Sequence, residues 1–369
     1  MVQNILIGYL TEGVHSGIDQ YLLNFVEIAF ENGVHVDFLT NQVTPDLQQE
    51  LAAKFGSKLL EIPSLKHPVA QYRRIRKILT EEKYDCTYFN ISEAFHCIGA
   101  FVAKREKVPR RMIHSHSSGV SVANPVVRRL RRLLHYMVRP FLVRCGTHFF
   151  ACSDLAGQWL FPRKTQFSVI YNAINSDRFV YRPAARESLR RELGIGEETL
   201  VLGHVGHFTY AKNNFFLIDI FSEVKKLCPE SMLLSVGCGE DFDRVVSYAK
   251  HLGLNSDILF LGVRKDIPEL MAAMDCFVLP SRFEGLGIVG IEAQFCGLPV
   301  VFSAEIPREA ALSDRAVFLK KGVTARQWAM TILQMRAKRC AAHLPPTAFH
   351  CYSLAEQHKQ TESLLLGKD

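Results

Sequence analysis

The sequence predicts an α/β protein made of two doubly wound, Rossmann-like parallel-sheet domains, and three observations lead there. Short apolar runs alternate with helical stretches along most of the chain, the pattern left by parallel strands joined through crossover helices. The alternation breaks at a polar, turn-rich stretch and restarts near Leu200. The length, 369 residues, exceeds what a single hydrophobic core usually organises.

The first series opens with NILIGYL, residues Asn4 to Leu10, a short apolar run that ends in a Thr-Glu-Gly-Val-His-Ser-Gly turn. Helical spacing follows in IDQYLLNFVEIAFENG, with Gly33 as the stop. VHVDFLTN, LEIP, CTYFNI and RRMIHSH continue as strands separated by helical stretches. The second series reads LVLGHVGHF, MLLSVGCG, ILFLG, CFVLPS and LPVVFS as strands, with NNFFLIDIFSEVKKL as the first helix between them. The segment SVIYNAINSDRFVYRPAARESLRREL separates the two, with the hinge expected near Tyr171 to Ala185. The expected domains are therefore 1–175 and 176–349, and the helical tail, 350–369, is expected to pack back on one of them, the first being the candidate.

Composition narrows the class. A hydrophobic content of 48% with 22% charged residues and 15 prolines leaves little room for long disordered segments. Ten cysteines stand singly, without the close pairs of a zinc site, and read as reduced and mostly buried thiols. The start of the chain shows no basic leader, and no run of about eighteen apolar residues occurs, so secretion and membrane spanning are not expected. The formal charge of +7 is modest and gathers in the first half.

In a doubly wound sheet, ligands sit beyond the carboxyl ends of the strands. One such loop is SRFEGLG, between the strand CFVLPS and the helix IVGIEAQFC. The amides that open that helix, with its dipole behind them, favour an anion, and Gly285 and Gly287 allow phosphate to approach the backbone. Glu284 before the helix and Glu292 inside it could accept hydrogen bonds from hydroxyls at two separated places on a ligand. The residues alone leave a second reading open, with Glu284 a helix-opening acid and Glu292 a solvated surface residue.

The stretch Asn124 to Gly146 interleaves Arg128, Arg129, Arg131, Arg132, Arg139 and Arg144 with leucine, valine and aromatic residues. This composition suits a helix on an anionic membrane surface, and equally a domain helix with a solvated basic face. Nucleic acid is not expected, because no binding motif is present and the overall charge is small.

The segment from Glu284 to Glu292 resembles the E-x7-E signature of the retaining GT-B glycosyltransferases of family 4, and GLPVV resembles the continuation after their helix. SGIDQYLLNF, IHSH, ACSDLAGQWLF, VIYNAINSDRF, VGHFTYAKN, LLSVGCGED and ILFLGVRKDIPELMAAMDCFVLPSRFEG are similar to further family segments in the same order, so the resemblance covers nearly the whole chain. It implies a GT-B fold with two Rossmann-like domains facing across a cleft. It also implies that Glu292 holds the donor ribose and Glu284 a hexose hydroxyl, with Gly285, Leu286 and Gly287 close to the sugar and diphosphate. Lys212 would neutralise the diphosphate as the leaving group gains charge, His116 would be the donor-facing histidine, and Gly13, Gly17, Gly237 and Val263 would complete the donor site. His207 stands where the family usually has arginine, which puts the strength and pH dependence of diphosphate binding in question. Asn172-Ala173 replaces an Asn-Gly turn, so a different turn is expected there. Asp241-Phe242-Asp243 is similar to the metal-binding Asp-x-Asp of the other glycosyltransferase fold, but its place after VGCGE reads as a helix-opening cap, and no metal is required.

What the resemblance implies, then, is a retaining hexosyltransferase that uses a nucleotide diphosphate sugar, with a UDP-sugar the leading candidate and no separate cofactor. The acceptor would be a hydroxyl of a glycan or lipid-linked molecule in capsule or exopolysaccharide synthesis. The expected location is the cytoplasm, with a peripheral position on the inner membrane face where the arginine run allows it. A sugar-nucleotide epimerase and a non-catalytic nucleotide-sugar binder are the alternatives.

Overall fold

The computed structural model describes residues 2–10, 17–336 and 350–367. They divide into two α/β units, one of Met1–Val120, Arg129–Ala173 and His350–Asp369, the other of Ser121–Arg128 and Ile174–Phe349. The second unit thus begins two residues before Ser176 and takes in a short earlier segment.

The first unit holds a seven-stranded sheet of β1 (Asn4–Gly8), β2 (His35–Thr40), β3 (Leu59–Glu61), β4 (Cys86–Ile91), β5 (Arg110–Ser115), β6 (His148–Ala151) and β7 (Ser168–Val169). Their order is β3-β2-β1-β4-β5-β6-β7, with every pair parallel. Both faces are covered, so alternate residues of each strand enter different cores. Ile5 and Ile7 join a cluster with Phe25 and Phe38, whereas Leu6 joins one with Ile75 and Phe89. The tail helix, Leu354–Leu366, completes the first of these clusters through the buried Leu364 and Leu365. Gln357 ties it down by donating to Tyr21 O at 3.1 Å while accepting from Asn24 Nδ2, also at 3.1 Å.

The second unit holds six parallel strands, β8 (Leu200–Val205), β9 (Ser231–Val236), β10 (Ile258–Phe260), β11 (Cys276–Leu279), β12 (Val300–Ser303) and β13 (Ala316–Leu319). Their order is β10-β9-β8-β11-β12-β13. Leu200, Leu202, Cys276 and Val278 point into one core with Phe221, Trp328 and Ile332. Asp275, the residue before β11, receives Arg186 at 2.6 Å and Arg190 at 2.7 Å, and also takes Val201 N at 2.8 Å. That three-way contact docks the Pro183–Glu192 helix on the sheet.

Three strands were not among the expected ones. They are β6 and β13, of four residues each, and β7, of two. What makes them strands is pairing with β5, β12 and β6 respectively, which is a tertiary event.

Candidate functional site

The order of the second sheet reverses between β8 and β11, because β9 and β10 extend from one and β12 and β13 from the other. Loops leaving adjacent strands at such a point diverge and open a crevice. The two loops here are held together by a backbone bond, Arg282 N donating to Ala211 O at 2.7 Å, and by a side-chain one, Asn213 Nδ2 donating to Pro280 O at 3.1 Å. Across them Lys212 Nζ donates to Glu284 Oε1 at 2.7 Å, both side chains being largely buried. Ser281 Oγ donates to the same oxygen at 2.6 Å, and Ser303 Oγ, at the end of β12, holds the Ser281 carbonyl at 2.5 Å. The carboxylate is therefore oriented from two sides before any ligand arrives.

Gly285, Leu286 and Gly287 lead from Glu284 into the Ile288–Phe295 helix. Leu286 is buried. Gly287 takes a left-handed φ of 82°, and a Cβ there would lie 3.0 Å from Ile306 Cγ2, so the turn needs glycine. An α-helix start presents amides without partners in their own helix and carries the positive end of the dipole. Glu292 lies in this helix, and burial raises its carboxyl to about 7, with Arg178 and Lys212 working in the opposite direction. Lys212 thus acts electrostatically on Glu292 while bonding Glu284.

Neighbouring loops carry the remaining residues of this unit. His207 is exposed on the loop after β8. Gly237, after β9, has φ 126° and would place a Cβ 2.1 Å from Gly206 O, so its role is close approach of two backbones. Its N–H donates to Gly262 O at 2.8 Å, and Val263 next to that glycine is half exposed.

Two further residues join this site that sequence reading did not single out. Ser281 sits inside the motif segment but shows its contact with Glu284 only in three dimensions. His204, in β8, is fully buried, and its Nδ1 lies 2.9 Å from Val278 O, so that nitrogen carries the proton. Nε2 is left as a buried lone pair without a partner among the described residues. Burial lowers its pKa to about 4, a trend that Lys212 reinforces and Glu284 opposes.

In the first unit the order reverses at β1 and β4. Gly17 opens the Gly17–Glu31 helix, and its carbonyl accepts from Asn172 Nδ2 at 2.9 Å. Gly13 lies outside the described residues. His116 follows β5, is buried, and has Nε2 2.9 Å from Asn90 Oδ1. His114 is also buried and is bonded to Tyr88 at 2.6 Å, a place inside the fold.

Two expectations need correction. The run Arg128, Arg129, Arg131, Arg132 is not one uniform basic surface. Arg131 makes a two-point contact with Glu93, at 2.5 and 3.1 Å, and Arg128 donates to the carbonyls of Val122 and Ala123. Arg129 and Arg132 are the exposed members. Asp241 occupies the position before the Phe242–His251 helix, but its side chain makes no cap and instead pairs with Arg244 at 2.5 Å. An ion pair one turn on has replaced the backbone N–H as its partner. Among the described residues no group of three or more His, Cys, Asp or Glu side chains gathers to hold a metal.

Comparisons with known proteins agree over both halves. Residues 15–178 match the model for Glycosyltransferase Family 4, and residues 185–335 that for Glycosyl transferases group 1. The chain is 28% identical over 350 residues to a putative glycosyltransferase, EpsF, of Bacillus subtilis, covering 92% of this chain and 88% of that one. It is 26% identical over 300 residues, 78% of this chain and 76% of the other, to the UDP-Gal:alpha-D-GlcNAc-diphosphoundecaprenol alpha-1,3-galactosyltransferase of Escherichia coli. Among solved structures, HepE of Anabaena in complex with UDP-glucose superposes with a TM-score of 0.77 at 20% identity, over the whole of both chains. WaaG, a glycosyltransferase involved in lipopolysaccharide biosynthesis, superposes with a TM-score of 0.71 at 19% identity, over 99% of this chain and 98% of that one.

Proposed function

The chain belongs to the GT-B glycosyltransferases of family 4, and on that premise we propose that it is a retaining hexosyltransferase using a UDP-sugar, with a glycan or lipid-linked hydroxyl as acceptor. The observation that carries this reading is the Lys212–Glu284 contact at the reversal point of the second sheet, beside the start of the Ile288–Phe295 helix. An ammonium and helix amides suit a diphosphate, and carboxylates suit sugar hydroxyls. As the bond from the anomeric carbon to the diphosphate oxygen breaks, its electron pair stays on the nucleotide diphosphate, where Lys212 offsets the new charge. The acceptor oxygen forms the new bond to that carbon, and its proton passes to the departing diphosphate. Glu284, Glu292 and the Gly285–Gly287 backbone of the second unit hold the donor in this reading, and His116 and Gly17 of the first unit are read as substrate-facing by their match to the family.

The membrane part of the proposal rests on the Pro125–Cys145 helix. Val126, Leu130, Leu133, Met137 and Phe141 recur at three- and four-residue spacing, and each is at least 42% exposed. Exposed Arg129 lies beside this stripe and exposed Arg132 further round the same side of the helix, so anionic attraction can add to apolar contact. No helix among the described residues is long and apolar enough to cross a membrane. We place the protein on the inner face of the membrane as a peripheral, cytoplasmic enzyme of capsule or exopolysaccharide synthesis.

The test is incubation of the protein with UDP-sugars, with and without polyprenyl-diphosphate-linked sugar acceptors in anionic vesicles. Nucleotide diphosphate should be released in step with a longer glycan whose new linkage keeps the donor's anomeric configuration. An isomerised donor without acceptor would establish the epimerase instead, and binding without turnover the non-catalytic reading. Arg129→Gln with Arg132→Gln should weaken vesicle binding, and unchanged binding would remove the membrane component.

A further inference from the structure

Asn90 is the penultimate residue of β4, next to the reversal point of the first sheet, and its side chain is committed on both sides. Nδ2 donates to the Gly8 carbonyl of β1 at 3.0 Å. That contact fixes which way the amide faces, and so Oδ1 is the atom turned to His116 Nε2, 2.9 Å away. An amide oxygen only accepts. The proton of the neutral imidazole therefore sits on Nε2, and Nδ1 is left as a lone pair. Nδ1 is buried and has no partner among the described residues.

The groups packed around the ring leave this assignment standing. The His114 ring lies against His116 in a tilted contact, with centroids 3.9 Å apart and planes at 36°, and the Tyr21 ring lies at 5.8 Å. Tyr88 Oη is engaged with His114 Nδ1 at 2.6 Å and with Tyr21 Oη at 2.9 Å, while His114 Nε2, like His116 Nδ1, is buried without a partner among the described residues. Burial also drives the His116 pKa down to about 3, so the ring stays neutral at working pH.

We propose that Asn90 is a positioning residue that locks His116 in the Nε2–H tautomer, so that its buried Nδ1 lone pair receives a hydrogen-bond donor of the substrate. The inference rests on the reading of His116 as a substrate-facing residue. It adds a constraint: in this tautomer His116 accepts from a hydroxyl and cannot donate through Nδ1 to a phosphate oxygen. An unpaired acceptor of this kind in a folded interior calls for a partner, and a substrate hydroxyl supplies one.

The tautomer is read directly from long-range 1H–15N imidazole spectra of the full chain labelled with 15N-histidine, with the His116 signal assigned by loss in His116→Phe. Across roughly pH 6 to 8 the signal should be that of a neutral Nε2–H ring. Asn90→Asp should keep that tautomer and move the ionisation of His116 upward, because a carboxylate favours the imidazolium. Asn90→Leu should release the lock and lower kcat on the order of tenfold or more, with a smaller change in KM for the donor. A ring protonated on Nδ1 in the unmodified protein overturns the proposal even if no variant folds. An unchanged tautomer in folded Asn90→Leu overturns it as well. Full turnover by His116→Phe would instead remove the substrate-facing reading while leaving the tautomer assignment intact.

Discussion

Lys212 and Glu284, separated by 72 residues in the chain, meet at 2.7 Å where the strand order of the second sheet reverses. Replacing the lysine by methionine keeps much of the stem and removes the charge. Lys212→Met should lower kcat/KM on the order of a hundredfold or more, and Glu284→Gln should act mainly on KM for the donor. The double variant should cost less than the sum, because the two side chains touch. Steady-state kinetics of the three proteins decide it, and Lys212→Met within about twofold of the parent enzyme would rule out a role in leaving-group stabilisation.

Glu292 couples the same helix to pH. Its folded carboxyl is raised to about 7 by burial, whereas the unfolded acid ionises in the ordinary carboxylate range. The folded chain therefore holds a proton that the unfolded chain has already released. The stability this contributes is fully present below the ordinary carboxylate range and is gone once pH has risen through about 7. Glu292→Gln should lose less stability over that interval than the parent. Donor affinity should rise through the same interval in the parent, since the ionised carboxylate is the better acceptor for hydroxyls. Thermal unfolding and donor titration at stepped pH measure both, and identical pH profiles for the two proteins would contradict the assignment.

Gly287 is the conformational stop between the acid-bearing loop and its helix. Alanine there meets both a left-handed backbone and Ile306 Cγ2 at 3.0 Å. Gly287→Ala should cost about 1 to 3 kcal/mol and weaken UDP binding through the displaced helix start. Calorimetric titration with UDP, with chemical denaturation for the stability component, separates the two effects.

Asp275 carries structure without touching the site. Arg186, Arg190 and Val201 N all converge on it, and Arg190 is 5% exposed. Asp275→Ala leaves that guanidinium buried beside no carboxylate and should destabilise the second unit by about 3 kcal/mol or more. Urea denaturation monitored at Trp328, in the core of that unit, gives the measurement. A midpoint equal to that of the parent would show that the pair contributes nothing net.

Residue types and local spacing determined much of this protein. Alternating runs such as NILIGYL and LVLGHVGHF specify parallel strands, because burial on both faces demands apolar residues at nearly every position. The motif order then placed Lys212 and Glu284 after β8 and β11, and the sheet order made those strands neighbours. Tertiary structure alone decided what lies far apart in sequence or depends on direction. β7 exists because two residues found an edge on β6. Arg131 left the basic surface because Glu93 was within reach, and Asp241 took Arg244 in place of a backbone amide. The contact of Asn90 with His116 needed β1, β4 and β5 side by side, since the Gly8 carbonyl orients the amide. Periodicity reports which face of an element is buried, and a hydrogen bond depends on the direction of single atoms, which is set only when the strands come together.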